Sequence, residues 1–381
     1  MPGTLVGAAR SKDLGTHTNA ASMNRRDGLD ATQLESLRRW PKVELHRHLE
    51  GTLNVQTAWA LARAAGAVEA DEPLASFARR VQWDPTDPPH FEEFLGKFNF
   101  LRQFYTSREA IERVAREAVA QAAAEQIRYL ELRFNPDHFA EAAGLPQAEV
   151  ASWILAAATG EASAHPITVR FLITINRNRP LAAAEEALAA ALANLGTGIV
   201  GLDLAGNEAG PEPDGLTALF HEAAAAGLGI TVHAGEVGPP TNVWYALDHF
   251  RADRIGHGIQ SIHDPALVAM LAERGIALEV CPTSNLQTGA ISRLDEHPLG
   301  ALHRAGVPVT LNSDDPGISQ TTLTGEYALA LTDLGLTPAD LRDLILTAVD
   351  HAFLPAPEQA ALRAELARAL APALESLEEA S

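Results

Sequence analysis

The sequence predicts a (β/α)8 TIM-type barrel with extra helices capping its C-terminal mouth. Three observations predict it. From Pro41 onward, eight short runs rich in apolar and β-branched residues alternate with helical stretches, the order expected of a parallel α/β fold. The run interiors are apolar on successive residues, as in Ile167-Thr-Val-Arg-Phe-Leu-Ile173, which suits strands covered on both faces. Four of the runs stop at clusters of His, Glu or Asp, and a parallel barrel presents its chemistry at the C-terminal ends of its strands.

Residues 1–35 read as a disordered or weakly ordered tail. The stretch up to about Asp30 is rich in Gly, Ala, Asn, Ser and Thr, shows no sustained period and lacks the apolar core of a signal peptide. Residues 36–381 then form a single barrel domain. The expected strands are Lys42–His46, Ile127–Phe134, Ile167–Ile175, Gly198–Leu204, Leu228–His233, Arg254–Gly258, Ile276–Val280 and Val307–Asn312. The gap between the first two is too long for one crossover helix, so it holds helices that cap the mouth. Within it, Thr106-Ser-Arg-Glu109 reads as a capping box opening a helix whose Ile111, Val114, Ala118 and Ala122 share one face. Phe91, Phe94 and Phe98 also share a helical face; core packing is the default for such a stripe, and a lid over a ligand is the alternative. Thr337-Pro338-Ala-Asp340 opens a helix with Pro at its first position. A final helix covers about Pro357–Glu379.

Bulk properties exclude several functions. A formal charge of −20 over 381 residues argues against nucleic acid as a partner, because phosphate binding needs clustered Lys and Arg, and it discourages contact with anionic membranes. No stretch of about 18 apolar residues exists to span a bilayer. The single cysteine, Cys281, excludes an internal disulfide framework and fits a cytoplasmic location.

The chemistry lies in four segments: His46-Arg-His48, His233-Ala-Gly-Glu236, Gly256-His257-Gly258 and Asn312-Ser-Asp-Asp315. His46 and His48 are two apart, so an extended strand points both to one side. His233 ends another strand, and Asp314 offers a fourth ligand. Three His and one Asp suit Zn²⁺ or a similar borderline ion with a place left for water. Taken alone, the exposed histidines of a strand end and an Asp-Asp-Pro-Gly turn are ordinary features; their coincidence is what carries the argument. A two-metal barrel hydrolase would bridge its ions with a modified lysine after the fourth strand. The only lysines are Lys12, Lys42 and Lys97, none near Asp203 or Leu204, which favours one ion.

Pro41-Lys-Val-Glu-Leu-His-Arg-His-Leu-Glu-Gly51, Asp203-Leu-Ala-Gly-Asn-Glu208, Thr231-Val-His-Ala-Gly-Glu236, Arg254-Ile-Gly-His-Gly258, Cys281-Pro-Thr-Ser-Asn285 and Leu311-Asn-Ser-Asp-Asp-Pro316 resemble the signatures of the adenosine deaminase family, in the family's order. The resemblance runs from about Pro41 to Leu354. Phe91-Glu-Glu-Phe-Leu-Gly-Lys-Phe98 and Thr321-Thr-Leu-Thr-Gly-Glu-Tyr327 lean toward its adenosine-type branch. The resemblance implies one Zn²⁺ per chain, held by His46, His48, His233 and Asp314. It implies that Glu236, His257 and Asp314 are catalytic: Glu236 as a protonated acid serving a purine ring nitrogen, His257 and Asp314 at the attacking water. His48, Glu50, Gly206 and Asp315 would contact the substrate, with Gly206 N–H and Asp315 at two further ring nitrogens. Glu208 would be a loop acid supporting the site, and Cys281 an inert packed thiol. The implied reaction is zinc-dependent hydrolysis of adenosine or 2′-deoxyadenosine to the 6-oxo nucleoside and ammonia, as in purine salvage. Its partner is a small purine nucleoside. One position departs from the pattern: Glu50 stands where many adenosine-type members carry Asp, which leaves adenine or a 5′-modified adenosine such as aminodeoxyfutalosine as alternative substrates. A non-catalytic relative would be expected to lose a ligand or the proton donor, and a cyclic-amide hydrolase would not need Gly206, Glu236 and Asp315 facing three ring nitrogens.

Overall fold

The computed structural model describes residues 28–69, 71–210 and 212–379. Eight parallel strands follow one another around the sheet in sequence order: β1 (Lys42–His48), β2 (Ile127–Phe134), β3 (Thr168–Asn176), β4 (Ile199–Ala205), β5 (Gly229–Ala234), β6 (Arg254–His257), β7 (Ala277–Val280) and β8 (Val309–Leu311). Helices separate them, and the fold is the expected (β/α)8 barrel. The last expected strand is cut short at both ends, and the side chain of Asn312 explains its C-terminal limit. Asn312 Oδ1 accepts the backbone N–H groups of Leu45 (2.9 Å) and His46 (3.2 Å), doing for β1 what a longer β8 backbone would do. Beyond it, Asp314 N–H donates to His46 O (3.1 Å) and His48 N–H donates to Asp314 O (2.9 Å). The ring of strands is thus drawn together at the point where two expected ligand segments meet.

The outward faces of the strands are apolar, as expected, and pack on the helices. The inward face is not. Glu131, Arg133, Asp203, Arg254 and Glu279 are buried inside the barrel. Arg133 bridges Asp203 (3.1 Å) and Glu279 (2.6 Å), and Arg254 bridges Glu279 (2.6 Å) and Glu131. Buried charge is tolerated only when paired in this way. At the opposite end of the barrel, Lys42 Nζ donates to the carbonyls of Arg38, Trp40 and Glu125 at 2.9–3.0 Å. It thereby satisfies the C-terminal ends of two helices, and burial pushes its pKa down to about 7.

Among the described residues, four α-helices fill the β1–β2 connection: Val55–Ala64, Leu74–Val81, Phe91–Leu101 and Arg108–Ala124. The last is capped by Ser107, whose hydroxyl accepts from Ala110 N–H, one residue beyond the expected cap at Thr106. Its Ile111, Val114, Ala118 and Ala122 are buried together as predicted. The helix expected after Thr337 forms, with Thr337 and Asp340 in a capping box, and the final helix runs Ala356–Glu379. Of the expected tail, residues 1–27 lie outside the described residues. In the described residues that follow, Asp30 and Gln33 form a capping box that starts a helix over Ala31–Arg39. Among the described residues no helix is long and apolar enough to cross a membrane.

Candidate active site

The C-terminal ends of β1, β5, β6 and β8 bring the four segments together. His46, His48 and His233 direct ring nitrogens to one point. His48 Nε2 and His233 Nε2 are 3.2 Å apart. Asp314 Oδ1 lies 3.3 Å from His46 Nε2 and 3.5 Å from His48 Nε2. Two nitrogens bound tetrahedrally to one ion at 2.0–2.1 Å would be about 3.3 Å apart, so the spacing fits a single metal. The outer nitrogens agree. His46 Nδ1 faces Glu279 Oε2 at 2.8 Å, and His233 Nδ1 faces Asp203 Oδ1 at 3.1 Å. Against the upward push of burial, Asp203 is kept ionised by His233 and Arg133, and Glu279 by Arg133 and Arg254. A carboxylate that accepts the Nδ1–H hydrogen bond holds the ring proton on Nδ1 and leaves the Nε2 lone pair facing inward. Burial also lowers the pKa of His48 and His233, favouring the neutral, ligating form. His46 Nε2 is buried without a hydrogen bond among the described residues, an orphaned acceptor that a cation would satisfy. Together these features make the cluster a candidate metal site.

Neither Lys42 nor Lys97 approaches this point; Lys97 Nζ pairs with Asp87 at 2.8 Å. Cys281 packs beside His46 and Asp314, and burial raises its pKa well above the usual thiol value, so it remains a protonated thiol.

Glu236 and His257 adjoin the cluster. Glu236 Oε1 accepts the Thr288 hydroxyl at 2.9 Å, and Oε2 lies 3.6 Å from His257 Nε2. Burial, then the charges of Asp314 and Glu208, push the Glu236 pKa well above the ordinary carboxyl value. It is therefore a neutral acid at neutral pH. His257 Nε2 is also 3.8 Å from Asp314 Oδ2. His257 and Asp314 both adopt a left-handed backbone, φ 59°. Such strain in a non-glycine residue persists only where the surroundings impose it and is concentrated at functional sites.

Glu208 organises the turn that carries Glu236. Its Oε1 accepts the N–H groups of Glu236 (2.9 Å), Val237 (2.8 Å) and Gly238 (2.6 Å), and its Oε2 accepts Gly235 N–H (2.8 Å) and Asn242 Nδ2 (3.0 Å). Two glycines are demanded by the site. At Gly206, φ is +104°, and a Cβ would lie 2.6 Å from Asn176 Oδ1. At Gly51, a Cβ would lie 1.8 Å from Asp315 Oδ1. Asp315 is buried and its Oδ1 has no hydrogen-bond partner among the described residues; burial first, then Asp314 and Glu50, raise its pKa well above normal.

These residues line one cavity of about 290 Å³. Its walls include His48, Glu50, Gly206, His233, Glu236, His257, Asp314 and Asp315, so of the expected site residues only His46 lies behind the wall. The helix Phe91–Leu101 covers it with Phe91, Phe94, Leu95 and Phe98; Phe94 serves the core as well. Away from the metal cluster the wall is polar. Glu50 Oε1 accepts Asn135 N–H at 2.5 Å, while Glu50 Oε2, Arg102 Nε and His138 Nε2 are buried without hydrogen-bond partners among the described residues. Burial raises the Glu50 pKa to about 8.

Several functional contacts were not foreseen from the sequence: Asp203, Glu279 and Arg133 behind the ligands, Thr288 on Glu236, Asn285 on His257, and His138 in the wall. A signal existed for some of them. A charged residue at every second position of an otherwise apolar run, as in Tyr129-Leu-Glu-Leu-Arg133, or a lone acid in Ala277-Leu-Glu-Val280, marks an inward, paired position.

Comparison with known proteins gives a consistent result. The sequence model of the family described as adenosine deaminase matches residues 41–369. A curated adenosine deaminase of Erwinia tasmaniensis is 37% identical over 327 residues, covering 86% of this chain and 98% of that protein. Among solved structures, an amidohydrolase from Burkholderia ambifaria with bound Zn superposes with a TM-score of 0.83 at 28% identity, covering 92% of this chain and 96% of that one. An Arabidopsis N6-mAMP deaminase gives 0.78 at 30% identity, covering 88% and 99%.

Proposed function

The chain belongs to the adenosine deaminase family, and from that membership we propose that it hydrolyses adenosine and 2′-deoxyadenosine to inosine and 2′-deoxyinosine, releasing ammonia. The observation that carries the proposal is Glu236: a buried carboxyl held protonated on the wall of the cavity that the His46, His48, His233 and Asp314 cluster also faces. Adding water to the carbon that bears the amine places electrons on the adjacent ring nitrogen. A neutral carboxyl beside that nitrogen delivers the proton it needs, which an ionised one cannot do.

His46, His48, His233 and Asp314 would hold one Zn²⁺. When bound, such an ion supplies Lewis acidity and makes water a competent nucleophile near neutral pH. The chain's own residues do the rest. Thr288 orients Glu236 through Oε1. His257 Nε2 stands between Glu236 Oε2 and Asp314 Oδ2, at the place where the incoming oxygen is handled. Gly206, with no side chain to block approach, offers its N–H to a second ring nitrogen. Asp315, its pKa raised, donates to a nitrogen of the five-membered ring. The phenylalanine-bearing helix excludes water from the reacting ring. Glu50, on the polar wall, meets the ribose.

The test is ammonia release by the pure protein from adenosine, 2′-deoxyadenosine, adenine and a 5′-modified adenosine. Adenosine and its deoxy form are expected to give the highest kcat/KM. Turnover of none of the four would refute the proposal, and a clear preference for adenine or the 5′-modified nucleoside would move the assignment to that substrate.

A further inference from the structure

A buried chain of hydrogen bonds runs away from His257 to a backbone amide 42 residues later in sequence, with links at Asn285, His297 and Leu299. We infer that this chain locks the neutral His257 ring in the tautomer with its proton on Nε2, so that the ring presents a donor and not a lone pair to the reaction site. The inference rests on the proposed function for what happens at that site, and it assigns Asn285 and His297 as positioning residues acting through His257.

The polarity of the chain is set at its far end. Leu299 N–H donates to His297 Nδ1 at 3.1 Å. A backbone N–H cannot accept, so His297 Nδ1 carries a lone pair. The ring proton of His297 is then on Nε2, which faces Asn285 Oδ1 at 3.3 Å. With its oxygen engaged there, the Asn285 amide turns its NH2 to His257 Nδ1 at 3.1 Å. An amide NH2 only donates, so His257 Nδ1 carries the lone pair and its proton is on Nε2. No link is open to exchange with bulk water: Asn285 is 0%, His257 2% and His297 8% exposed. The chain also requires His297 to be neutral, and burial, which pushes its pKa down to about 3, keeps it so.

His257 Nε2 faces the site, with Glu236 Oε2 at 3.6 Å and Asp314 Oδ2 at 3.8 Å. In this tautomer Nε2 has no lone pair, so it cannot take a proton from water. It donates a hydrogen bond to oxygen and favours negative charge building there. The chain therefore gives His257 the role of orienting and stabilising the incoming oxygen, and not of deprotonating it. His297, to which no function attached in the sequence, is thereby given one, as is Asn285.

The direct test is the tautomer itself, by ¹⁵N NMR of the zinc-loaded, histidine-labelled protein. His257 should show a protonated, pyrrole-type Nε2 and an unprotonated, pyridine-type Nδ1, with the same pattern at His297. A proton on His257 Nδ1 would overturn the inference. This readout does not depend on turnover, so it separates failure of the inference from failure of the proposed substrate. Kinetics add a second arm. Asn285→Asp offers His257 Nδ1 an acceptor and should drive its proton there. By analogy with a triad histidine forced into its wrong tautomer, kcat should fall about 10²–10⁴-fold, with KM within about threefold and metal content unchanged. An Asn285→Asp protein whose kcat stays within about threefold of wild type would also overturn it.

Discussion

Replacing Glu208 with Gln should disable the site without touching a ligand or the substrate. In the native protein its two carboxylate oxygens accept four backbone N–H groups and the Asn242 amide. Glutamine keeps an oxygen for Glu236, Val237 and Gly238, but sets an NH2 against Gly235 N–H and Asn242 Nδ2. Two charge-assisted bonds are lost, each worth about 1.5–3 kcal/mol, and the other three weaken to neutral ones. Glu208 is only half-buried, so water relieves part of this, and the expected destabilisation is about 2–3 kcal/mol, read as a lower urea midpoint. The turn carries Glu236, and displacing a catalytic group by about 1 Å can cost about 10²-fold. The kcat on adenosine should fall by that order, while metal content stays at the wild-type value because His233 lies on β5, ahead of the turn. If Glu208 acts through Glu236, the Glu208→Gln, Glu236→Gln double variant should be scarcely slower than Glu236→Gln alone. A Glu208→Gln enzyme with wild-type urea midpoint and kcat, or a double variant with fully additive losses, would show that Glu208 does not position Glu236.

Glu236→Gln cannot donate a proton and should lose at least about 10²-fold in kcat while keeping its metal; in the wild type kcat/KM should fall as pH rises through the raised Glu236 pKa, and that alkaline limb should vanish in the variant. The pure protein should carry one Zn²⁺ per chain by elemental analysis, and His233→Ala should lose both metal and activity; two ions per chain would contradict the assignment. Glu50 has its pKa raised from 4.5 to about 8, so folding takes up a proton between those values. The stability it contributes is complete below 4.5 and is lost as pH rises toward 8, by up to about 1.4 kcal/mol per pH unit. Glu50→Gln should flatten that slope in urea midpoints measured at about pH 5 and about pH 8. Glu50→Ala should cost about ten- to a hundred-fold in kcat/KM on nucleosides and little on adenine; equal losses on both would mean that Glu50 shapes the metal site and does not read the sugar.

What the amino-acid order determined by itself is local. Apolar runs broken by helical stretches specify strand and helix over short windows, and the eight-fold alternation specifies a barrel. Residue chemistry at the run ends, His46, His48, His233, Glu236, His257 and Asp314, was legible because a parallel barrel gathers strand ends at one mouth. Glu208 was legible as a supporting acid, though not as the acceptor of four amides. The rest depended on contacts between residues far apart in the chain. Asn312 replaces part of a β8–β1 ladder, which shortens the expected last strand. Arg133 ties Asp203 to Glu279, and these two orient His233 and His46 from opposite sides of the barrel. Protonation states belong to the same category. Glu236 is an acid, Asp203 an ion and His297 a neutral link because burial and neighbouring charge act through space, and no spacing along the chain encodes which charge will stand beside which carboxyl.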